Sequence, residues 1–179
     1  MSKPVVATQH LTSCFGCHMS ILDIDDRILK LVELVEFNKS PIDDIKEFTK
    51  PVDIGIIEGG VSNEEHVEVA REFRKNCKII IGLGSCAVAN SVPSMRNTVT
   101  LKECMEEAYL NGPTVVDGVI PNDPDISLLL DKVYPLHEVI KVDYFLPGCP
   151  PSADTIWNAL VALLTGKELE LPYELIKYD

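Results

Sequence analysis

Cys14 and Cys17 enclose only Phe15 and Gly16, while Cys86 follows Gly84-Ser85 and Cys149 sits between Gly148 and Pro150. Four such thiolates can hold Zn²⁺ or a four-iron cluster. Structural zinc usually draws on two closely spaced Cys/His pairs, whereas here a single Cys-x-x-Cys is joined by two distant, solitary cysteines. The flanks favour iron–sulfur. Gly16, Gly84 and Gly148 let backbone approach an inorganic core and offer N–H groups to sulfur. Cys149-Pro150 has the Cys-Pro order that follows cluster ligands in ferredoxins. Metal ligation would also keep these thiols deprotonated. The two remaining cysteines, Cys77 and Cys104, read as small buried hydrophobes.

The same residues admit other uses. Cys14-Phe15-Gly16-Cys17 at the start of a helix could serve as a dithiol redox pair, but that reading leaves Cys86 and Cys149 unexplained. Gly82-Leu83-Gly84-Ser85-Cys86-Ala87 fits a G-x-G-x-x-A dinucleotide pattern, yet Asn90, Ser91 and Pro93 interrupt the long helix that pattern must open. Glu58, in Glu-Gly-Gly, is either a solvated turn carboxylate or a group beside the cluster that accepts a proton or offers oxygen. His18 is either a helix-start histidine or a donor to a cluster sulfur or a partner. His10, His66 and His137 are isolated and carry no assignment. Asp25-Asp26 and Glu106-Glu107 read as solvated helix faces. Neither a Ser/His/Asp pattern nor a P-loop is present.

The elements that must position these groups alternate. Strands are expected over residues 4–9, 52–57, 78–83 and 138–146. Helices are expected over 18–34, from Ser62 to about Lys75, over 100–110 and over 152–165, the last apolar on most faces and expected to be buried. Residues 32–38 fit either a helix end or a short strand. Residues 111–125, with three prolines and two glycines, read as loop. Strands alternating with crossover helices imply an α/β domain with a parallel sheet, whose ligands bind beyond the carboxyl ends of the strands. That rule sorts the cysteines: Cys14, Cys17, Cys86 and Cys149 all follow strands, whereas Cys77 precedes one and Cys104 lies in a helix.

The chain has 179 residues, suited to a single domain over 1–179 with a real core. Its 16 Lys and Arg against 28 Asp and Glu give a net charge of −12, which argues against nucleic acid and anionic lipid as partners. No apolar run approaches a membrane span, and Met-Ser-Lys-Pro resembles neither a secretory leader nor a twin-arginine signal, so a cytoplasmic protein with reduced thiols is expected. Residues 103–131 carry seven acids and no Lys or Arg. They form either a well-solvated outer surface or a face for a basic partner.

Taken in order, Thr12-Ser-Cys14-Phe-Gly-Cys17-His-Met-Ser, Ile57-Glu58-Gly59, Gly84-Ser-Cys86-Ala and Pro147-Gly-Cys149-Pro-Pro-Ser resemble the small subunit of [NiFe] hydrogenases. The resemblance runs from the start of the chain to its last long helix. It implies a flavodoxin-like, doubly wound parallel sheet in which Cys14, Cys17, Cys86 and Cys149 bind the proximal [4Fe-4S] cluster, facing the nickel–iron site of a separate large subunit. It also implies that Glu58 lies beside that cluster. Gly-Cys-His-Met-Ser and the Asp-rich stretch after it look most like the soluble, NAD-linked, bidirectional enzymes, which add a diaphorase module with flavin and further clusters. Such a fold also leaves a place for a flavin on this chain. The chain ends 30 residues after Cys149 without further ferredoxin-type cysteines, in keeping with that branch. Ser13 stands where many relatives have glycine. The homologous subunit of NADH:quinone oxidoreductase is the nearest alternative; it typically has two adjacent cysteines where this chain has Ser13-Cys14.

Overall fold

The computed structural model describes residues 3–167 and 171–176. In chain order the elements are β1 (Val5–His10), α1 (Gly16–Leu22), α2 (Arg27–Leu34), β2 (Glu36–Phe37), β3 (Val52–Glu58), β4 (Val61–Asn63), α3 (Glu64–Asn76), β5 (Cys77–Leu83), α4 (Gly84–Ala89), α5 (Leu101–Tyr109), β6 (Leu129–Tyr134), β7 (Tyr144–Leu146), α6 (Ala153–Leu164) and α7 (Tyr173–Ile176). Single 3-10 segments cover Val92–Thr98 and Leu136–Glu138. Among the described residues no helix is long and apolar enough to cross a membrane.

Five strands form one parallel sheet in the order β2-β1-β3-β5-β7, the flavodoxin-like arrangement, with β4 and β6 as a separate antiparallel ribbon. Central strands of such a sheet are buried on both faces, which is why β3 and β5 read as near-continuous Ile runs rather than alternating ones. One face packs on α1, α2 and α6 through Ile21, Leu31, Ile156 and Leu160. The other packs on α3 and the 136–138 turn through Ala70, Phe73 and Leu136. Burial of these side chains, at roughly 25 cal/mol per Å² of apolar surface, is what holds the layers together.

Several sequence expectations need correction. The single helix over 18–34 is two helices, α1 and α2, because the chain turns at residues 23–26, where Asp25 takes a left-handed φ of 58°. The last strand is only Tyr144–Leu146, not 138–146. Its pairing is cut short at Asp143: the backbone N–H of Asp143 still donates to Ile80 O, but its carboxylate takes the Ile80 N–H at 2.8 Å in place of a ladder bond. Strand β6 has no counterpart among the expected strands, since its exposed Leu129 and Asp131 obscure any alternation. The helix near Ser62 begins at Glu64, with Asn63 accepting from the His66 N–H as its cap. Helix α6 buries Thr155, Ile156, Ala159 and Leu160, while Trp157, Val161, Leu163 and Leu164 are only half-buried.

Asp143 also pairs with Arg74, Oδ2 to Nη1 at 2.5 Å. Burial alone would raise its pKa, but the Ile80 N–H, Arg74 and Lys141 together hold it below the usual carboxylate range. A carboxylate lowered in the folded state contributes its stability above the unfolded pKa and loses it as pH falls through the folded one. Asp143→Asn should therefore cost about 1–3 kcal/mol at pH 7. The difference from the parent should shrink as pH falls below 4; urea unfolding at pH 7 and pH 3 checks both points.

Candidate metal centre at the carboxyl edge of the sheet

Each of the four post-strand cysteines sits where a strand of the large sheet runs out. Cys14 lies in the loop after β1, Cys17 in the first turn of α1, Cys86 in the first turn of α4 immediately after β5, and Cys149 just beyond β7. Cys17 is buried, Cys86 half-buried, and Cys14 and Cys149 are exposed, all as free thiols. They share one neighbourhood: Cys17 lies within electrostatic reach of Cys86 and Cys14, and Cys86 within reach of Cys149 and Cys14. The expected spatial sorting holds. Cys77 starts β5 at the opposite edge, where burial pushes its thiol up to about 12, and Cys104 lies on α5 with its sulfur towards Arg96 O.

The loops carrying the thiols are tied to one another. Gly84 has a φ of +82°, and a Cβ there would stand 2.3 Å from Cys17 Sγ, so only glycine lets β5 end against α1. A Cβ on Gly16 would press to 3.1 Å from Cys14 Sγ. The Ser85 N–H donates to Gly148 O at 2.7 Å, and its hydroxyl donates to the same oxygen, which joins the Cys86 turn to the Cys149 turn. Ser20 on α1 donates to Pro151 O at 2.6 Å and ties the Cys17 helix to the same segment. Pro150 is exposed and Gly148 buried.

Beneath the thiols lies Glu58, with 0% of its side chain exposed. The solvated-turn reading of this residue is therefore wrong. Its Oε1 accepts from His10 Nδ1 at 2.8 Å and from Ser13 Oγ at 3.1 Å, and its Oε2 accepts from the His18 N–H at 3.0 Å. The buried His18 ring places Nδ1 3.3 Å from Glu58 Oε1 and Nε2 3.0 Å from Thr8 Oγ1, and it stacks on Phe15 at 4.6 Å. Burial would raise the Glu58 pKa, yet the contacts from His18, His10 and Ser13 outweigh it and bring the value down to about 2. His18 is thus a buried partner of Glu58 rather than a surface group.

Sequence reasoning missed His10. The signal was available, because β1 and β3 pair in parallel and His10 faces Glu58 in register at their ends. Ser13 is the second omission; its hydroxyl bridges His10 and Glu58.

Two of the thiols, Cys17 and Cys86, resist ionisation. Burial comes first and the Glu58 charge second in raising Cys17 above the usual thiol range, with Cys86 and Cys14 adding to it. Burial likewise raises Cys86, with Cys149, Cys14 and Glu58 behind it. A dithiol role for Cys14 and Cys17 would still leave Cys86 and Cys149, gathered at the same edge, without a use. Thiols crowded together and against a carboxylate fit a multiply charged metal core that takes them as thiolates. The dinucleotide reading also fails, since α4 spans six residues and ends at Asn90 in a left-handed turn.

Comparison with known proteins bears on the same edge. Residues 14–163 match the family described as NADH ubiquinone oxidoreductase, 20 Kd subunit. The chain is 48% identical over 180 residues to the NAD-reducing hydrogenase HoxS subunit delta of Cupriavidus necator, covering 99% of this chain and 86% of that one. The chain belongs to the hydrogenase small-subunit family. A chain in the crystal structure of an NAD+-reducing [NiFe]-hydrogenase in the H2-reduced state superposes with a TM-score of 0.96 at 43% identity, covering 99% of this chain and all of that one. One subunit of the F420-non-reducing hydrogenase of Methanothermobacter thermautotrophicus is 43% identical over 178 residues, but this chain spans only 56% of its length. The family model bears the name of the quinone-reducing lineage, while the nearly full-length matches to the Cupriavidus subunit and the crystallised chain are to hydrogenases.

Removing the carboxylate should expose what it holds. Glu58→Ala leaves the buried His18 N–H and the His10 ring without their acceptor and should cost about 2–4 kcal/mol in chemical denaturation. Glu58→Gln, which keeps an acceptor oxygen, should cost less.

Proposed function

We propose that this chain is the electron-transfer small subunit of a cytoplasmic NAD-reducing [NiFe] hydrogenase. It would bind one [4Fe-4S] cluster through Cys14, Cys17, Cys86 and Cys149. Dihydrogen would be activated on the large subunit, and electrons would leave towards a diaphorase module. The observation that carries this reading is the convergence of four post-strand thiols, two of them held against ionisation, in a chain 48% identical to the HoxS delta subunit.

When bound, the cluster supplies one-electron transfer. The chain's own residues set its place and surroundings. Glu58 fixes the first turn of α1 through the His18 N–H and so fixes Cys17. Gly84 allows the Cys86 turn to close on Cys17, and Ser85 locks that turn to the Cys149 loop. Water is kept from Cys17 by burial, whereas the exposed Cys14 and Cys149 lie on the side left for the partner. Glu58, with His10 and Ser13, holds negative charge under the thiols, which favours the more positive, oxidised state of whatever they bind.

A structural zinc site is the reading least supported. A single Cys-x-x-Cys joined by two solitary cysteines from other strand ends lacks the two closely spaced pairs that structural zinc usually draws on. The thiols are near enough to sense one another's charge, as they would be around a larger core.

Anaerobically purified protein should contain about four iron and four acid-labile sulfide per chain. Cys149→Ser should lose that content and the brown colour, and Cys77→Ser should keep both. Stoichiometric zinc without sulfide would sink the proposal.

A further inference from the structure

Between Ser91 and Lys132 not one residue is buried. The stretch is nonetheless folded. It contains the 3-10 segment at 92–98 and helix α5, whose Thr100–Glu103 capping box is complete. Its root is secure as well: Asn97 exchanges hydrogen bonds with both the N–H and the C=O of Val133, and Asn90 donates to the same carbonyl. A segment of this length that packs on the core through Leu130 near its end, yet carries many large exposed apolar side chains, has not completed its burial within this chain.

Its surface has a definite chemistry. Val116 and Val119 are 84% and 76% exposed, and Val92 and Met95 are 65% and 69% exposed. Between α5 and residues 121–129 runs a groove of about 270 Å³ whose apolar walls include Met105, Tyr109 and Ile126. Residues 103–131 carry seven acids and no Lys or Arg, with Arg96, Lys102 and Lys132 lying just outside that stretch. Methionine and aromatic side chains at the centre with charges at the rim is the make-up of a protein–protein interface.

Its position is equally definite. The segment leaves the sheet directly after α4, which carries Cys86 in its first turn. It returns through β6, which pairs with β4, the strand that follows Glu58-Gly59-Gly60. Its far end also rests on the start of α3, where the Glu64 N–H donates to Leu128 O and the Glu65 N–H to Ser127 Oγ. Both roots therefore lie at the cysteine-bearing edge of the sheet. A second exposed apolar strip, Leu29 and Val32 on α2, has neither this location nor a single-sign rim.

We infer that residues 91–132 form the docking lobe for the subunit that closes over the cysteine edge, and that this subunit meets it with an apolar surface bordered by Lys and Arg. The inference rests on the proposed role as a hydrogenase small subunit and names the surface that role would use towards its large subunit. The apolar residues supply the affinity, and the acids set orientation and on-rate, making the contact salt-sensitive.

The test uses the complete hydrogenase complex, isolated anaerobically from cells producing variant chains. One variant is Val116→Asp/Val119→Asp; both side chains are so exposed that the fold does not depend on them. A second is Glu107→Lys/Asp125→Lys/Asp131→Lys. Leu29→Asp on α2 is the control. Native mass spectrometry and size exclusion at rising salt read which subunits remain, and the mass of the small subunit itself reads whether it still carries iron and sulfide. Each lobe variant should bind the large subunit about tenfold more weakly, releasing it at lower salt while retaining parental iron, and Leu29→Asp should behave as the parent. Lobe variants that hold the large subunit as the parent does would overturn the inference. So would variants that keep it but lose a different subunit or self-association. A parental small subunit whose mass shows no bound iron and sulfide would instead count against the cluster reading, so the two failures are distinguishable.

Discussion

A carboxylate sealed from water at the end of a central strand is expensive unless every acceptor site is used, and Glu58 is such a carboxylate. It stands at the last position of β3, opposite His10 at the last position of β1, and it receives donors from His10, Ser13 and the backbone of His18. The demand of one buried charge for partners thus fixes three things: the end of β1, the loop that carries Cys14 and the first turn of the helix that carries Cys17. With the Glu58 pKa brought down to about 2, the charge persists across the physiological range and so does the geometry.

The same charge sets the temper of the thiols. Cys17 lies buried beside Glu58, so its thiolate is disfavoured first by the loss of water and then by the carboxylate. Left alone, Cys17 is a poor nucleophile. Given a cationic core, the balance reverses, because the thiolates neutralise the metal and the core relieves the crowding of charge. Rigidity and reluctance to ionise are therefore two results of one arrangement.

Much of this edge is legible in the sequence because parallel α/β topology is encoded in simple signals. Ile-rich runs closed by glycine mark central strands, and the carboxyl-end rule then sorts Cys14, Cys17, Cys86 and Cys149 from Cys77 and Cys104 without any contact being known. What stays hidden depends on register and on side-chain substitution for backbone. His10 looks isolated until β1 and β3 are laid side by side, and Glu58 looks like a turn residue until its burial is seen. The last strand reads too long because periodicity cannot reveal that the Asp143 carboxylate takes the hydrogen bond a ladder would have used. Strand β6 escapes notice because an exposed two-stranded ribbon carries little hydrophobic pattern. The break at residues 23–26 is obscured by apolar spacing that continues across it.

The molecule is finished on both faces of its sheet and unfinished at one edge. Phe73, Leu31, Ile80 and Ile156 are closed off from solvent, as a self-sufficient core requires, whereas Cys14, Cys149 and the whole of residues 91–132 are left in contact with water. An exposed apolar lobe invites aggregation in a free chain, and its excess of acids opposes that by making copies of the chain repel one another. Residues 91–132 supply a net −4 of the chain's −12, seven acids against Arg96, Lys102 and Lys132. On the inferred docking, that excess of acid opposes association of copies through the apolar surface and favours a partner surface of opposite sign at the edge where the thiols converge.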